Sequence, residues 1–208
     1  MEIAIIDYGI GNLRSAEKAL QFIGLDAKLT RNPADLRTAK KIVLPGVGAF
    51  GQCVHGLRAC GFVEPVVEAV KAGKPLLGIC VGMQMLFAGS EESPDIPGLG
   101  LLNGSVVRFR GQPFEGPDAL KIPQIGWNAL ELSTPVHPLF AGIVPGSHVY
   151  FVHSYHAQPA DGSDALACAD YGGRFCASAG RGNVMGVQFH PEKSQTVGLQ
   201  ILRNFGSM

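Results

Sequence analysis

The sequence predicts an α/β fold: a three-layer sandwich around a mostly parallel central sheet, with an added antiparallel β region. Three observations point there. Short apolar runs alternate with amphipathic stretches through the first 90 residues. Glycines stand just after several of those runs, where a strand must turn tightly into a helix. Beyond Gly89 the pattern changes to short strands separated by Gly, Pro and polar residues.

Residues 2–7 (EIAIID) are a short apolar run that ends in the turn Tyr8-Gly9-Ile10-Gly11-Asn12, as a buried first strand should. Leu13, Ala16, Ala19, Leu20 and Ile23 then recur at helical spacing, and Gly24 stops the helix. Leu25–Leu29 is a weaker strand. Lys41–Leu44 (KIVL) is the next, running into Pro45-Gly46-Val47-Gly48. Phe62–Ala72 reads as a helix closed by Gly73. Pro75–Ile79 is a strand that leads directly into Cys80, and Met83–Ala88 reads as the helix after it. Downstream, strands are expected at Ser105–Phe109, His148–Val152, Ala165–Asp170, Phe175–Ala179 and Val184–Gln188. Gly172-Gly173 suggests a hairpin between the third and fourth of these. A last helix, Thr196–Phe205, carries Val197, Ile201, Leu202 and Phe205 on one side. No repeat, low-complexity tract or linker interrupts the chain, so residues 1–208 are expected to form a single domain.

Composition narrows the class. Apolar residues make up 46% and charged residues 16%, enough to fill a core, and the formal net charge is zero. A balance of that kind argues against a protein held to nucleic acid mainly by charge. The longest apolar stretch, Pro75–Ala88, is interrupted by Gly78, Gly82 and Gln84 and is too short to span a bilayer. The N-terminus has no basic leader region, and the cysteines number five, an odd count, so a reduced cytoplasmic setting is expected.

Cys80 sits in Gly78-Ile79-Cys80-Val81-Gly82, the nucleophile-elbow pattern with Cys in place of Ser. A sharp strand-to-helix turn pushes the thiol out at the sheet's edge, and the following helix is expected to aim its free N–H groups at the sulfur. The Val81 N–H is then a natural oxyanion donor. Taken alone, the pentapeptide fits a buried cysteine after a strand equally well. His190 and Glu192, in Val187-Gln188-Phe189-His190-Pro191-Glu192, change the balance. If the chain stays extended through Pro191, both point to one side, and Glu192 can orient the imidazole toward Cys80. Singly, they read as a strand-end histidine and a solvated surface acid.

Two decoys carry less. Gly46-Val47-Gly48-Ala49-Phe50-Gly51 is a literal GxGxxG, but it follows the third strand rather than the first and lacks the acid that closes the second, so no dinucleotide cofactor is expected. Cys53, His55 and Cys60 fit no common zinc spacing and read as packing or surface residues, so no metal is expected.

The two motifs together resemble those of class I, triad-type glutamine amidotransferases, over nearly the whole chain. The resemblance implies a flavodoxin-like sheet and a Cys80, His190, Glu192 triad that hydrolyses L-glutamine through a cysteinyl thioester. Pro45–Phe50 is similar to the family's oxyanion strand, which gives Val47 the second oxyanion N–H and places Gly46 and Gly48 against the substrate. Gln84 matches the residue beside bound glutamine. Ser154 and Tyr155 are expected to line the same pocket, although strand-end polar residues can equally be structural.

Within that family, three further segments are similar to the glutaminase subunits of imidazole glycerol phosphate synthases. They are Ile5–Ser15, Pro123–Asn128 and Tyr150–Tyr155, the last followed by His190–Ser194. This implies a heterodimer with a (β/α)8-barrel cyclase, docked through Asn12, Trp127 and Lys193; Trp127 alone fits a core residue as well. A docked tunnel is also what the chemistry asks for, because free ammonia would escape or be protonated. The glycines around Val47 permit its N–H to face away from the site, and it is expected to turn inward only with the loaded partner bound. Two other readings stay open: a cysteine hydrolase with the same elbow, which needs neither Gln84 nor a docking face, and the glutaminase of another biosynthetic synthase.

Overall fold

The computed structural model describes all residues 1–208. In chain order the elements are β1 (Ile3–Ile6), α1 (Leu13–Phe22), β2 (Ala27–Thr30), β3 (Lys41–Gly46), α2 (Phe50–Ala59), α3 (Val63–Lys71), β4 (Leu76–Cys80) and α4 (Val81–Gln84). They continue with β5 (Gly104–Arg108), β6 (Gln124–Ala129), β7 (Glu131–Leu132), β8 (His148–His153), β9 (Tyr155–Pro159), β10 (Ala165–Asp170), β11 (Arg174–Arg181), β12 (Val184–Val187) and α5 (Gln195–Ser207).

Strands β1, β3, β4 and β12 are buried at every position, which is why they read as continuous apolar runs rather than as alternations. They form the parallel heart of a mixed sheet, in the order β2-β1-β3-β4-β12. The crossovers from β1 to β2 and from β3 to β4 run in opposite directions. Both being right-handed, they lay α1 on one face and α2 with α3 on the other. Helix α1 packs against α5, and α2 against α4. Beyond β12 the sheet turns antiparallel through β11, β10 and β7, with β9 and β5 branching from β11. Strands β6 and β8 form a separate antiparallel pair. One continuous apolar core runs from Ile3 to Phe205. No helix is long and apolar enough to cross a membrane.

Four local expectations change. Phe50–Ala59 is a helix in its own right, obscured in the sequence by Gly51 and Gly56, both poor helix formers. The helix expected over Met83–Ala88 is instead the single turn of α4, because the backbone beyond it is claimed from outside. The carbonyls of Met85, Leu86, Phe87 and Ala88 accept from N–H groups of residues 98–102. Strands β6, β7 and β9 lie where no strand was expected. Pro191–Lys193 forms a 3₁₀ turn rather than an extended segment. The hairpin at Gly172-Gly173 joins β10 to β11 as expected and sets Cys168 directly opposite Cys176, both as free thiols.

Candidate active site

Three neighbouring parallel strands end together. In register, Gly46 of β3 lies beside Cys80 of β4, and Ile79 lies beside Val187 of β12. The chain leaving each of these ends carries one part of the site. Cys80 occupies the elbow at φ 56°, ψ −115°, a region that L side chains rarely adopt. Close backbone approach makes the turn possible. A Cβ on Gly82 would fall 1.9 Å from the Leu44 carbonyl oxygen, and one on Gly46 would fall 2.7 Å from the Gly82 nitrogen. Gly46 is thus sealed against α4 and holds the strand in place, whereas Gly48, at φ +83°, lines the open side. The electrostatic help expected from a full helix is reduced to the free N–H groups of the one-turn α4.

His190 is placed by backbone as much as by side chain. Its N–H donates to the Tyr150 carbonyl at 2.9 Å, and its own carbonyl accepts from Ser194 Oγ at 2.7 Å. Its Nδ1 lies 2.8 Å from Glu192 Oε1, so the pair forms even though the chain coils after Pro191: one 3₁₀ turn brings the carboxylate back beneath the ring. Both side chains are almost completely buried. Burial disfavours a charged imidazole, but the neighbouring Cys80 and Glu192 together outweigh it and raise His190 to about 10. His190 Nε2 makes no hydrogen bond of ordinary distance and angle, which leaves it free on the cavity side.

A cavity of about 280 Å³ opens over this group, lined by Val47, Gly48, Cys80, Val81, Gln84, Ser154, Tyr155 and His190 among others. A somewhat larger hollow, about 350 Å³ beside Arg108, Arg110 and Arg174, contains none of these residues. Gln84 is buried, with both amide hydrogens committed: Nε2 donates to the Tyr155 carbonyl at 2.9 Å and to Gln188 Oε1 at 3.0 Å. That leaves its carbonyl oxygen without a partner in the chain. Such a constellation suits acyl transfer from a small amide: a thiol nucleophile, a base held by a carboxylate, and backbone donors beside the sulfur.

The family model for class-I glutamine amidotransferases matches residues 4–207. The chain belongs to the class-I glutamine amidotransferases. Among curated relatives of this amidotransferase, one from Syntrophotalea carbinolica, called imidazole glycerol phosphate synthase subunit HisH, is 52% identical over 99% of this chain and 100% of its own length. A protein of the same name from Geobacter sulfurreducens is 49% identical over 100% of this chain and 99% of its own. A solved structure described as a glutamine amidotransferase superposes with a TM-score of 0.75 over the full length of both chains at 22% identity, a likeness of fold.

Around the amidotransferase cavity stand residues that the sequence did not single out. His153 lines the wall, fully buried between the Tyr155 carbonyl at 2.9 Å from Nδ1 and the Gln124 side-chain amide at 3.1 Å from Nε2. Burial pulls it down to about 3, so it stays neutral. Glu92 borders the cavity and accepts the Phe50 N–H at the start of α2, at 2.7 Å. Gln188 reaches Cys80 Sγ at 3.8 Å. His153 stood inside a quoted motif, but nothing in sequence separates a cavity histidine from a core one.

The three residues expected at a docking face lie near one another but differ in setting. Trp127 is 47% exposed on β6, with Ile125 two residues earlier at 64%. Trp127 meets the Tyr150 ring edge-on, and Lys193 Nζ stands 5.7 Å from the centre of that same ring. Asn12 is half-buried and donates its side-chain amide to Glu192 Oε1 at 2.9 Å, which ties it to the buried carboxylate.

Proposed function

We propose that the chain is the glutaminase subunit of imidazole glycerol phosphate synthase. The observation that carries this is full-length identity near 50% to proteins of that name, joined to a cavity holding Cys80 and His190 with Glu192 behind them. In this reading the Cys80 sulfur attacks the side-chain amide carbon of glutamine after giving its proton to His190. The oxyanion that forms is met by the N–H groups of Val81 and Val47. His190 returns the proton to the departing nitrogen, the C–N bond breaks, and ammonia leaves a glutamyl thioester. Water, deprotonated by His190, then attacks the thioester and releases glutamate and the thiol. Glu192 holds the imidazole in the orientation both steps need.

Gln84, Gly48, Ser154 and Tyr155 receive the substrate, and Gly46 packs the strand beneath it. The ammonia passes to a (β/α)8-barrel cyclase, which forms imidazole glycerol phosphate and aminoimidazole carboxamide ribotide. The exposed face of Ile125 and Trp127, with Lys193 beside it, supports a docking role, since half-exposed Trp next to a cationic rim is a common interface anchor. Asn12 joins that face to the triad. The Val47 N–H turns inward only when the loaded cyclase is bound; equal glutaminase turnover with and without the loaded partner would argue against this. Free cysteines throughout support a cytoplasmic setting.

A glutaminase assay of the purified chain, alone and with the cyclase, tests the reading. Cys80→Ala should abolish glutamine-dependent synthesis by the complex and spare ammonia-dependent synthesis. Loss of both would point to failed assembly, and glutamine-dependent synthesis that survives Cys80→Ala would remove the thiol from the mechanism.

A further inference from the structure

Two buried groups outside the reacting set grip the strand that carries Val47. The last register pair between β1 and β3 is Ile5 with Val43, so the β3 backbone beyond it has lost that neighbour. Tyr8, just past β1, takes over: its hydroxyl donates to the Pro45 carbonyl at 2.8 Å. On the far side of Val47, Cys53 in α2 donates its thiol to the Val47 carbonyl at 3.2 Å. Both side chains are buried, Tyr8 at 5% exposure and Cys53 at zero. Burial raises the pKa of each, so both keep the protons they donate.

These two carbonyls belong to the peptide units immediately before and after the Gly46–Val47 peptide, which carries the Val47 N–H at the cavity wall. With the flanking units pinned, the Gly46–Val47 peptide can turn only between two fixed ends, and the packing there is close: a Cβ on Gly46 would sit 3.1 Å from the Tyr8 hydroxyl oxygen. We propose that Tyr8 and Cys53 are positioning residues for the oxyanion donor, holding the Pro45 and Val47 carbonyls so that the Val47 N–H, once turned inward in the complex, is aimed at the oxyanion. The inference rests on the glutaminase reading. An oxyanion donor acts on charge that develops in the transition state, so misaiming it lowers kcat and leaves KM nearly unchanged. A role confined to core packing would lower stability and leave kcat alone.

The test uses the complex with its cyclase and compares Tyr8→Phe, Cys53→Ala, Cys53→Ser and the Tyr8→Phe/Cys53→Ala pair. Each of the first two should lower glutaminase kcat about 10-fold with KM within about twofold, the loss of one aligned hydrogen bond. Cys53→Ser restores a donor and should recover most of that loss. The pair should lose less than the product of the singles, because freeing either flank frees the same peptide. The Val47 amide resonance should shift in Cys53→Ala and return in Cys53→Ser. Lowered Tm with unchanged kcat, or KM rising as kcat falls, overturns the inference; if Tyr8→Phe does not fold, the two Cys53 variants decide it. A wild-type complex that hydrolyses no glutamine removes the glutaminase reading and this inference with it. An active wild type with unaffected variants removes this inference alone.

Discussion

Asn12 and His190 share one oxygen of Glu192: the Asn12 amide lies 2.9 Å from Oε1, and His190 Nδ1 lies 2.8 Å from it. Asn12 occupies the N-cap position of α1 yet gives that helix no side-chain cap. The side chain that would ordinarily close a helix is spent on the carboxylate.

Asn12→Ala should therefore lower glutaminase kcat about 10-fold with KM little changed, as expected for losing one hydrogen bond to a charged group. Steady-state kinetics of the complex checks this, with Tm measured alongside. An unchanged kcat would mean that His190 alone suffices to hold Glu192.

His153 should make the protein acid-sensitive. In the folded chain it stays neutral down to about 3, whereas unfolded it takes a proton near 6.5. The unfolded state then binds more protons between those values, so stability falls as pH drops through that window, by up to about 1.4 kcal/mol per pH unit. Denaturant melts of wild type and His153→Asn between about pH 4 and 7, which covers the upper part of that window, should show a shallower slope for the variant.

His190 has the opposite sign. Raised from 6.5 to about 10, it contributes stability that is complete below 6.5 and is lost as pH climbs through about 10. Glu192→Gln removes one of the groups that raise it, and should lower the imidazole's NMR titration midpoint and flatten the alkaline loss of Tm. An unshifted midpoint would show that Cys80 alone holds the ring charged.

Trp127→Ala should leave the Tm of the free chain within about 2 °C, because the ring is half-exposed, and should weaken cyclase binding by roughly 30-fold, the loss of an aromatic anchor. Calorimetric titration with the cyclase separates the two effects. Equal affinity would move the docking face elsewhere.

Gly82→Ala should be severe, since its Cβ would sit 1.9 Å from a backbone oxygen that cannot move aside. A loss of about 3 kcal/mol or more is expected. Gly162→Ala, with open space and no positive φ, should be nearly silent in the same melts.

The buried parallel strands were legible because burial on both faces writes itself as continuous apolar sequence. The elbow was legible because its glycines answer a steric demand local to five residues. His190 and Glu192 could be paired from spacing, although the turn that joins them is not the extended one expected. Strand β6 was hidden for a physical reason: Ile125 and Trp127 face outward, so its apolar alternation has no covering layer within this chain. The extent of α4 was hidden because residues 98–102 take the carbonyls of residues 85–88, just beyond it, that a longer helix would need. His153, Tyr8 and Cys53 carry no spacing signal at all; their roles arise only where separate strands end together.

The backbone angles of Cys80 have an evolutionary reading. At φ 56° any residue with a Cβ is strained, by about 1–3 kcal/mol, and glycine is not. Cys80→Gly should accordingly be more stable than Cys80→Ala. A duplicated copy released from its chemistry would thus be drawn toward glycine at this site, so a retained thiol there is a signature of selection for turnover over durability.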